Sequence, residues 1–267
     1  MAQPVLLRLS PAEWMLCVMT VQPEAATALA ESLNRSMTPE RLQGALAAAH
    51  DVLLARDLAR LNAAGRLDIN PVLRTCANAV LTPRASLGLT LIEANGASRV
   101  VFYNWLPGFA IGTWVDANQI RCFELLDSDD MIGERILAQW HGEAAISDGP
   151  VESKTYVMTA ASVPALPVDR QEKVNGLADA LVKNGVPQAD AAGLERAFDS
   201  PSRRAVLAAA NQANPSTRTL LWLSSGARSW LVYQASSAAI LKVTCANASG
   251  LAQAVSIFVR EVIGSAG

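Results

Sequence analysis

The sequence predicts an α+β fold with two quasi-symmetric halves, each an antiparallel β meander packed with α-helices. The first observation is a run of strand-like segments joined by short turns over 85–127, with a shorter run of the same kind over 219–245. The second is that helical patterns precede and follow each run. We therefore predict a first domain over 1–150 and a second, repeated domain over 151–267.

The two strand runs align without a gap around a tight turn. Gly96-Ala97 matches Gly226-Ala227, and Tyr103 matches Tyr233, each tyrosine preceded by three mostly apolar residues. This echo is the basis for predicting an internal pseudo-repeat. Because the second half is shorter, we expect its meander to have lost or shortened a strand.

Composition indicates an ordered protein with a large core. The 267 residues are 51% hydrophobic and 17% charged, and the net charge is −2, so neither disorder nor a nucleic-acid partner is indicated. The N-terminal segment lacks the basic region of a signal peptide, and no apolar run approaches the roughly 20 residues of a spanning helix. These features predict a cytoplasmic protein without membrane insertion.

The four cysteines lie far apart inside apolar patterns, with no C-x-x-C pair. Buried free thiols are therefore predicted rather than disulfides, as expected in a reducing cytoplasm.

Helix start signals recur in the first half. Helices are predicted from Pro11, over 23–35, from Pro39 through to Gly65, and over 71–81. Helices from Pro39 onward followed by extended chain are also compatible with a winged-helix regulator, although its recognition helix would carry Arg74 as its one basic residue.

Four strands are predicted in the first meander, over 87–94, 98–105, 109–117 and 119–127, before a helix that ends near Trp140. The run Val100-Val101-Phe102-Tyr103 is apolar on both sides, which predicts that both faces of the sheet are covered there. In the second half, we predict a strand over 155–162 and helices from Asp169, over 187–198 and over 200–213. The echo meander follows, and a closing amphipathic helix carries an apolar stripe that begins with Leu251.

Catalytic and metal-binding motifs are not recognisable. His50 and His141 have no cysteine or acidic partner at ligand spacing, and neither a G-x-S-x-G elbow nor a Walker loop is found. The acidic cluster over 127–130 fits a helix N-terminus better than a metal site. We therefore expect no catalytic residues, no cofactor and no metal; an enzyme on an uncharacterised α+β scaffold stays as an alternative.

Two surface features are candidates for partner contacts. Ser202-Arg203-Arg204 is either an exposed helix turn or a surface for an anionic partner. The turn Trp105-Leu106-Pro107-Gly108-Phe109 is apolar where polar residues are expected. It either packs against the neighbouring half or forms a protein-binding patch, and we predict Trp105, Leu106, Pro107 and Phe109 as partner-binding residues.

Several passages resemble the EspG family of type VII (ESX) secretion-associated chaperones. They are 53–60, which contains Arg56 between leucines, and 65–73, which begins Gly-Arg-Leu, in the first half, and 225–230 and the Ala-rich terminal helix in the second. The family fold has two quasi-symmetric halves, each a sheet with helices.

The resemblance implies a non-enzymatic cytosolic chaperone or adaptor. Such a protein binds an apolar tip of a helical secretion substrate, keeps it soluble and addresses it to the secretion machine; in the family the substrates are PE–PPE-type helical pairs. A helical secretion substrate is therefore the expected partner, with the oligomeric state left open. A winged-helix transcriptional regulator and an enzyme are the alternatives.

Overall fold

The structure is a computed structural model, and it describes residues 6–34, 37–93, 95–126, 129–141, 153–167, 173–212, 217–225, 228–234, 239–246 and 248–264. Eight α-helices lie in this part of the chain: α1 (Pro11–Val21), α2 (Pro23–Asn34), α3 (Pro39–Ala55), α4 (Pro71–Leu81), α5 (Asp129–His141), α6 (Leu177–Lys183), α7 (Gln188–Asp199) and α8 (Ala248–Gly264).

The strands, in chain order, are β1 (Leu7–Leu9), β2 (Ala59–Leu61), β3 (Leu67–Ile69), β4 (Ala85–Glu93), β5 (Ser98–Leu106), β6 (Phe109–Val115), β7 (Arg121–Leu126), β8 (Lys154–Thr159), β9 (Arg203–Asn211), β10 (Arg218–Ser225), β11 (Arg228–Gln234) and β12 (Ile240–Ala246). The ladders recorded between them are antiparallel. The predicted mixture of helices and antiparallel strands is confirmed.

Helix starts follow the local capping signals. Ser10 and Glu13 form a capping box, in which the Ser10 amide donates to Glu13 Oε2 at 2.7 Å and the Glu13 amide donates to Ser10 Oγ at 3.3 Å. Asn70 caps α4 by accepting from the Leu73 amide at 2.8 Å. These starts depend on neighbouring residues alone, so the sequence predicted them correctly.

The chain forms two compact units by its internal contacts. The first comprises Met1–Arg84 and Tyr103–Asp127, and the second comprises Ala85–Phe102 and Ser128–Gly267. The first meander therefore contributes strands to both units. The domain boundary predicted at 150 rests on the repeat rather than on contacts, and it stays a prediction.

In the first unit, β7 pairs with β1 on one side and with β6 on the other. Helix α1 packs against α2, α3 and α4. Their apolar side chains form one core with strand residues such as Leu7, Ile111 and Phe123, each buried. The ring of Trp14 lies 5.8 Å from that of Phe123, and the guanidinium of Arg121 lies over the indole. Trp14 therefore packs between the core and a charged side chain.

The predicted extension of the third helix to Gly65 is wrong. Helix α3 ends at Ala55 because Asp57 adopts a positive φ of 55°, and the chain then forms the β2–β3 hairpin. The hairpin turn is closed by the Asn62 carboxamide, which accepts from the Ala64 and Arg66 amides at 2.9 and 3.0 Å. The periodic leucines 58 and 61 fitted a helix, but local side-chain bonding favoured the turn.

In the second unit the strand order is β5-β4-β9-β10-β11-β12-β8, with the first part of β5 belonging to this unit. Strand β4 pairs with β9 over its whole length, from Ala85 opposite Asn211 to Glu93 opposite Arg203. The strands β9 to β12 form a four-stranded meander, so the expected loss of a strand in the second half is also wrong.

The helix predicted over 200–213 is instead strand β9. Its sequence, RRAVLAAAN, is rich in alanine, which has high helix and low strand propensity. Strand β4 pairs with β9 along its whole length and β10 pairs with residues 203–209, and Leu207 between them is completely buried. Tertiary pairing therefore overrides local propensity at this segment.

Helices cover the two faces of this sheet unequally. On one face, α8 packs on β9, β11 and β12, Trp140 of α5 stacks on Trp222 of β10 at 4.2 Å, and Phe258 meets Tyr233 edge-on at 5.9 Å. On the other face, α6 and α7 pack on β10, β11 and β12 and form a second core with residues such as Phe198 and Leu223.

A glycine in α7 provides a test of this packing. A Cβ at Gly193 would lie 2.8 Å from Trp230 Cζ2, whereas a Cβ at Gly44 in α3 would meet nothing within 4 Å. We expect Gly193→Ala to lower the free energy of unfolding by about 1–3 kcal/mol through overpacking. Gly44→Ala is the matched control and should raise it by about 0.5–1 kcal/mol, because alanine is the better helix former. Urea unfolding measures the free energy of unfolding of both variants. An equal increase in the two would show that Trp230 does not pack against α7.

Candidate partner-binding surface

The second unit carries an open area of sheet, here called the open face. It lies on β5, β4 and β9, on the side of the sheet where α6 and α7 cover the later strands. Antiparallel register places Gly88 opposite Ala208 and Ser86 opposite Ala210, so these four small residues share one side. All four are half-buried. The open face consists of Ser86, Gly88, Val100, Phe102, Ala208 and Ala210.

These four small residues form the floor of the open face, and two large apolar side chains lie on the same side of the sheet. Phe102 is 46% exposed and Val100 is 40% exposed. Alternation along β5 puts them on one side and the buried Val101 and Tyr103 on the other. The prediction that both faces of the sheet are covered at this run is therefore wrong for the side that bears Phe102.

Phe102 lies directly over Gly88. An ideal Cβ at Gly88 would be 3.2 Å from Phe102 Cε1 and 3.5 Å from Phe102 Cδ1, so the absent side chain is what lets the phenyl ring approach β4 this closely. Two exposed large apolar side chains beside small residues make the open face a candidate contact site for another protein.

The basic cluster Ser202-Arg203-Arg204 is neither an exposed helix turn nor a free anionic-partner surface. Both arginines lie on β9. Arg203 pairs with Glu93 at 3.0 Å and also donates to the Trp140 carbonyl. Arg204 is 3% exposed and donates to the Pro167 carbonyl at 2.8 Å. Their charge serves intramolecular contacts.

The predicted partner-binding turn joins β5 to β6 in the first unit. Trp105 is 5% exposed, so its ring is part of the interior of this unit. Leu106 and Phe109 are half-buried and pack against the core of the first unit. Pro107 and Gly108 are exposed, and Gly108 has a positive φ of 88°, which fits the second central residue of a type II turn that has proline at the first. The structure thus brings the four predicted residues together but leaves Pro107 as the exposed one.

The described residues contain no group of three or more His, Cys, Asp or Glu side chains that could hold a metal ion. His50 is partly exposed and contacts the neighbouring Asp51 at 3.2 Å. Asp127, which belongs to the predicted acidic cluster, and the side chain of His141 lie outside the described residues.

The basic residue that a DNA-binding recognition helix would need is held in an ion pair. Arg74 on α4 pairs with Asp68 at 3.1 Å, and Asp68 also contacts Arg60 at 3.4 Å. The basic residue that a recognition helix would have presented to a phosphate is therefore already in an ion pair within the first unit.

All four cysteines are free and buried, as predicted. Burial raises the pKa of Cys17 and Cys76 to about 12 and the pKa of Cys245 to about 11. A thiol with so high a pKa is a poor nucleophile at neutral pH, so these side chains act as small apolar groups.

Comparison with known proteins gives a likeness of fold alone. No family model matches the sequence, and no curated protein is significantly similar to it. The fold is similar to that of a secretion chaperone. The solved structure is that of the Mycobacterium tuberculosis type VII secretion system chaperone EspG5 in complex with PE25-PPE41 dimer. The match has a TM-score of 0.57 at 11% sequence identity, and it covers 81% of this chain and 84% of the other.

The likeness covers most of both chains, so an EspG-like fold is supported, as the sequence resemblance implied. At 11% identity the two sequences share the arrangement of elements and few side chains, and the comparison does not transfer a binding residue from one to the other. In the described part of the chain, no helix combines the length and the apolar character needed to cross a membrane.

The turn between β5 and β6 can be tested by two matched substitutions. Because Leu106 packs on the core of the first unit, Leu106→Asp should lower the free energy of unfolding by about 1–3 kcal/mol. Pro107→Asp changes an exposed residue of the same turn and should shift it by less than about 0.5 kcal/mol. Thermal and urea unfolding would measure both values. A stable Leu106→Asp protein would mean that this leucine lies on the surface, which is one of the two alternatives that the sequence left open.

The buried thiols predict how the stability of the fold depends on pH. Their pKa in the folded state is raised above the ordinary value of 9.0, so the folded protein keeps thiol protons between pH 9 and about 12 that the unfolded chain has lost. This contribution to stability is complete below pH 9 and is lost as pH rises through that window. At pH 8, a thiol reagent should label the folded protein slowly and the urea-unfolded protein at all four cysteines. Rapid labelling in the folded state would contradict the burial of Cys17 and Cys76.

Proposed function

We propose that this protein is a non-enzymatic chaperone or adaptor that binds a helical client protein, and that the client is a type VII secretion substrate. The observation that carries the proposal is the EspG-like fold combined with an open apolar face in the second unit. EspG5 was solved in complex with the PE25-PPE41 dimer, so a protein partner is the natural candidate for a chain of this fold.

The open face supplies the contact chemistry that the proposal needs. Phe102 and Val100 offer exposed apolar surface, and the small floor residues leave room for the large side chains of a partner. Burial of apolar surface contributes about 25 cal/mol per Å² before the costs of association. Aromatic side chains at the centre of an interface usually carry a large share of the affinity. We therefore assign Phe102 the main role in binding.

The turn between β5 and β6 is a second proposed contact. Pro107 is its exposed residue, with Leu106 and Phe109 half-buried on either side. In this proposal the turn adds a small apolar rim to the client site, and Trp105 supports it from the interior.

The proposed mechanism is passive. A client with an exposed apolar segment would aggregate in water, and covering that segment removes the surface that drives aggregation. No bond is made or broken, so the protein needs no cofactor and no metal. We propose that it works in the cytoplasm, where a secretion substrate must be kept soluble before export.

We also propose that the chain contains an internal repeat with a boundary near 150. The order of one strand, helices, four strands and one helix occurs first from β1 to α5 and again from β8 to α8, which supports the proposal. The β2–β3 hairpin interrupts the first series. In this order β4 corresponds to β9. The turn at Gly96 therefore follows the first strand of its meander, whereas Gly226 comes in the sequence after the second strand, β10. The echo in sequence therefore aligns two different hairpins.

The proposal is tested by affinity capture of the tagged protein from the cytosol of its own source, with the bound proteins identified. Stoichiometric recovery of a helical protein that is itself exported by a type VII system is the expected result. Recovery of the protein alone, or of nucleic acid with it, would overturn the chaperone proposal.

The captured client then allows a test of the open face. We expect Phe102→Ser to weaken binding tenfold or more in titration calorimetry, because it removes the exposed ring at the centre of the face. Ile257→Ser is the matched control: Ile257 is 41% exposed on α8, on no part of the open face, and its loss should change the dissociation constant less than twofold. Equal effects, or none, would move the binding site elsewhere on the protein. Circular dichroism should show that both variants stay folded.

A further inference from the structure

Strand β8 is the last strand in the sheet of the second unit. Its ladder is with β12, and no other described strand pairs with it. Val157, in the middle of β8, is 60% exposed, more than any other large apolar side chain among the described residues. An edge strand with an exposed apolar centre is a template for pairing with another strand.

The direction of the backbone groups on β8 follows from one hydrogen bond. The Ala160 amide donates to the Ala239 carbonyl at 2.8 Å, which continues the register of the β8–β12 ladder. Because amide directions alternate along a strand, the N–H groups of Met158 and Tyr156 also point to β12. The N–H groups of Thr155, Val157 and Thr159 therefore point away from the sheet.

The chemistry of β8 does not protect this edge. Natural edge strands are shielded by charged side chains, proline or a bulge. Strand β8 reads Lys-Thr-Tyr-Val-Met-Thr, with its one charge at the first position and no proline. Every second side chain of β8 lies on the same face of the sheet, and on one face these are Thr155, Val157 and Thr159. All three are β-branched, and β-branched residues favour strand pairing.

Side-chain contacts hold β8 in position. The Tyr156 hydroxyl donates to Asp190 Oδ2 at 2.6 Å, and Asp190 also pairs with Arg228 at 2.8 Å. The hydroxyls of Thr155 and Thr244 lie 3.0 Å apart across the β8–β12 ladder. The edge is therefore ordered before any partner arrives, which lowers the entropy cost of pairing.

From this geometry we infer that β8 pairs antiparallel with β8 of a second copy of the chain, and that the twofold axis passes between the two Val157 residues. A twofold interface requires a surface that is complementary to itself. Two edge strands can pair only through backbone N–H and C=O groups that point away from their own sheets. The register centred on Val157 brings the largest number of residues with such groups into contact. The two Val157 residues then exchange both of their backbone bonds, and each Thr155 lies opposite Thr159 of the other copy.

This register also agrees with the polar groups at the strand ends. The Thr159 carbonyl already accepts from Ser162 Oγ at 2.6 Å, but its amide stays available for the Thr155 carbonyl of the second copy. The lysines at position 154 lie at opposite ends of the paired strands, about 20 Å apart at 3.4 Å per residue, so their repulsion is screened. A register that overlapped the strands at their beginnings would place these lysines together.

The inference is tested by sedimentation of the purified full chain over a range of concentrations. The unmodified chain should shift from the mass of one chain to the mass of two as its concentration rises. Val157→Glu should abolish the shift, because it places two carboxylates opposite each other across the axis while facing Lys242 within its own chain. Val52→Glu alters a valine on α3 that is 43% exposed and should leave the shift unchanged. A chain that is monomeric at all concentrations, or a Val157→Glu dimer, would overturn the inference.

A crosslink checks the register itself. Opposed residues of a hydrogen-bonded antiparallel pair have Cα atoms about 5.5 Å apart, within the range that a disulfide spans. Under mild oxidation, Val157→Cys should form a covalent dimer in high yield, and Val52→Cys should not; the native cysteines are buried and do not compete. Equal yields for the two variants would overturn the register. These outcomes do not depend on the client, so the inference can fail while the chaperone proposal stands.

Discussion

The pairing of β4 with β9 is the constraint on which the second unit depends. It runs the whole length of both strands, and each residue pair it sets places one side chain of each strand on the same face. On the side covered by α8, Leu89 meets Leu207, and both are fully buried. On the other side, Gly88 lies opposite Ala208, and these small residues form part of the floor of the open face. A slip of one residue would exchange these two faces and expose the leucines.

The end of this ladder is fixed by charge. Glu93 lies opposite Arg203, and the pair forms an ion pair at 3.0 Å, while Arg203 also donates to the carbonyl of Trp140 at the end of α5. Because Trp140 stacks on Trp222, one arginine links the central ladder to the helical layer of the second unit. The basic cluster that looked like a partner surface in the sequence is in this way part of the framework that holds the register.

A sheet with an open face and an unprotected edge has two separate ways to meet other proteins. Binding on the open face uses side chains and apolar area, with Phe102 at its centre, and suits a helical client. Binding at the edge uses backbone groups of β8 and suits another strand. The two surfaces share no residue, so the proposed client binding and the inferred pairing of two copies are independent.

The sequence alone determined the features that rest on neighbouring residues. The capping box of Ser10 and Glu13, the Asn70 cap and the burial of the cysteines in apolar patterns were all predictable, because each depends on a few adjacent side chains. All four strands of the first meander were also predicted, because short turns with Gly, Asn or Pro separate them. The mixed α and β class followed from these elements.

Tertiary structure decided which segments became strands against their propensity and which apolar residues stayed in water. Alanine-rich β9 has a high helix propensity, and it becomes a strand because β4 and β10 pair with it on both sides. Trp105 and Phe102 are both aromatic residues of β5, and the sequence predicted the former as a partner-binding residue while leaving its burial open. In the structure Trp105 is buried and Phe102 is exposed, because the face on which each ring lies depends on strand alternation and on which face the distant helices cover. That information is held in long-range packing, which no local pattern of residues contains.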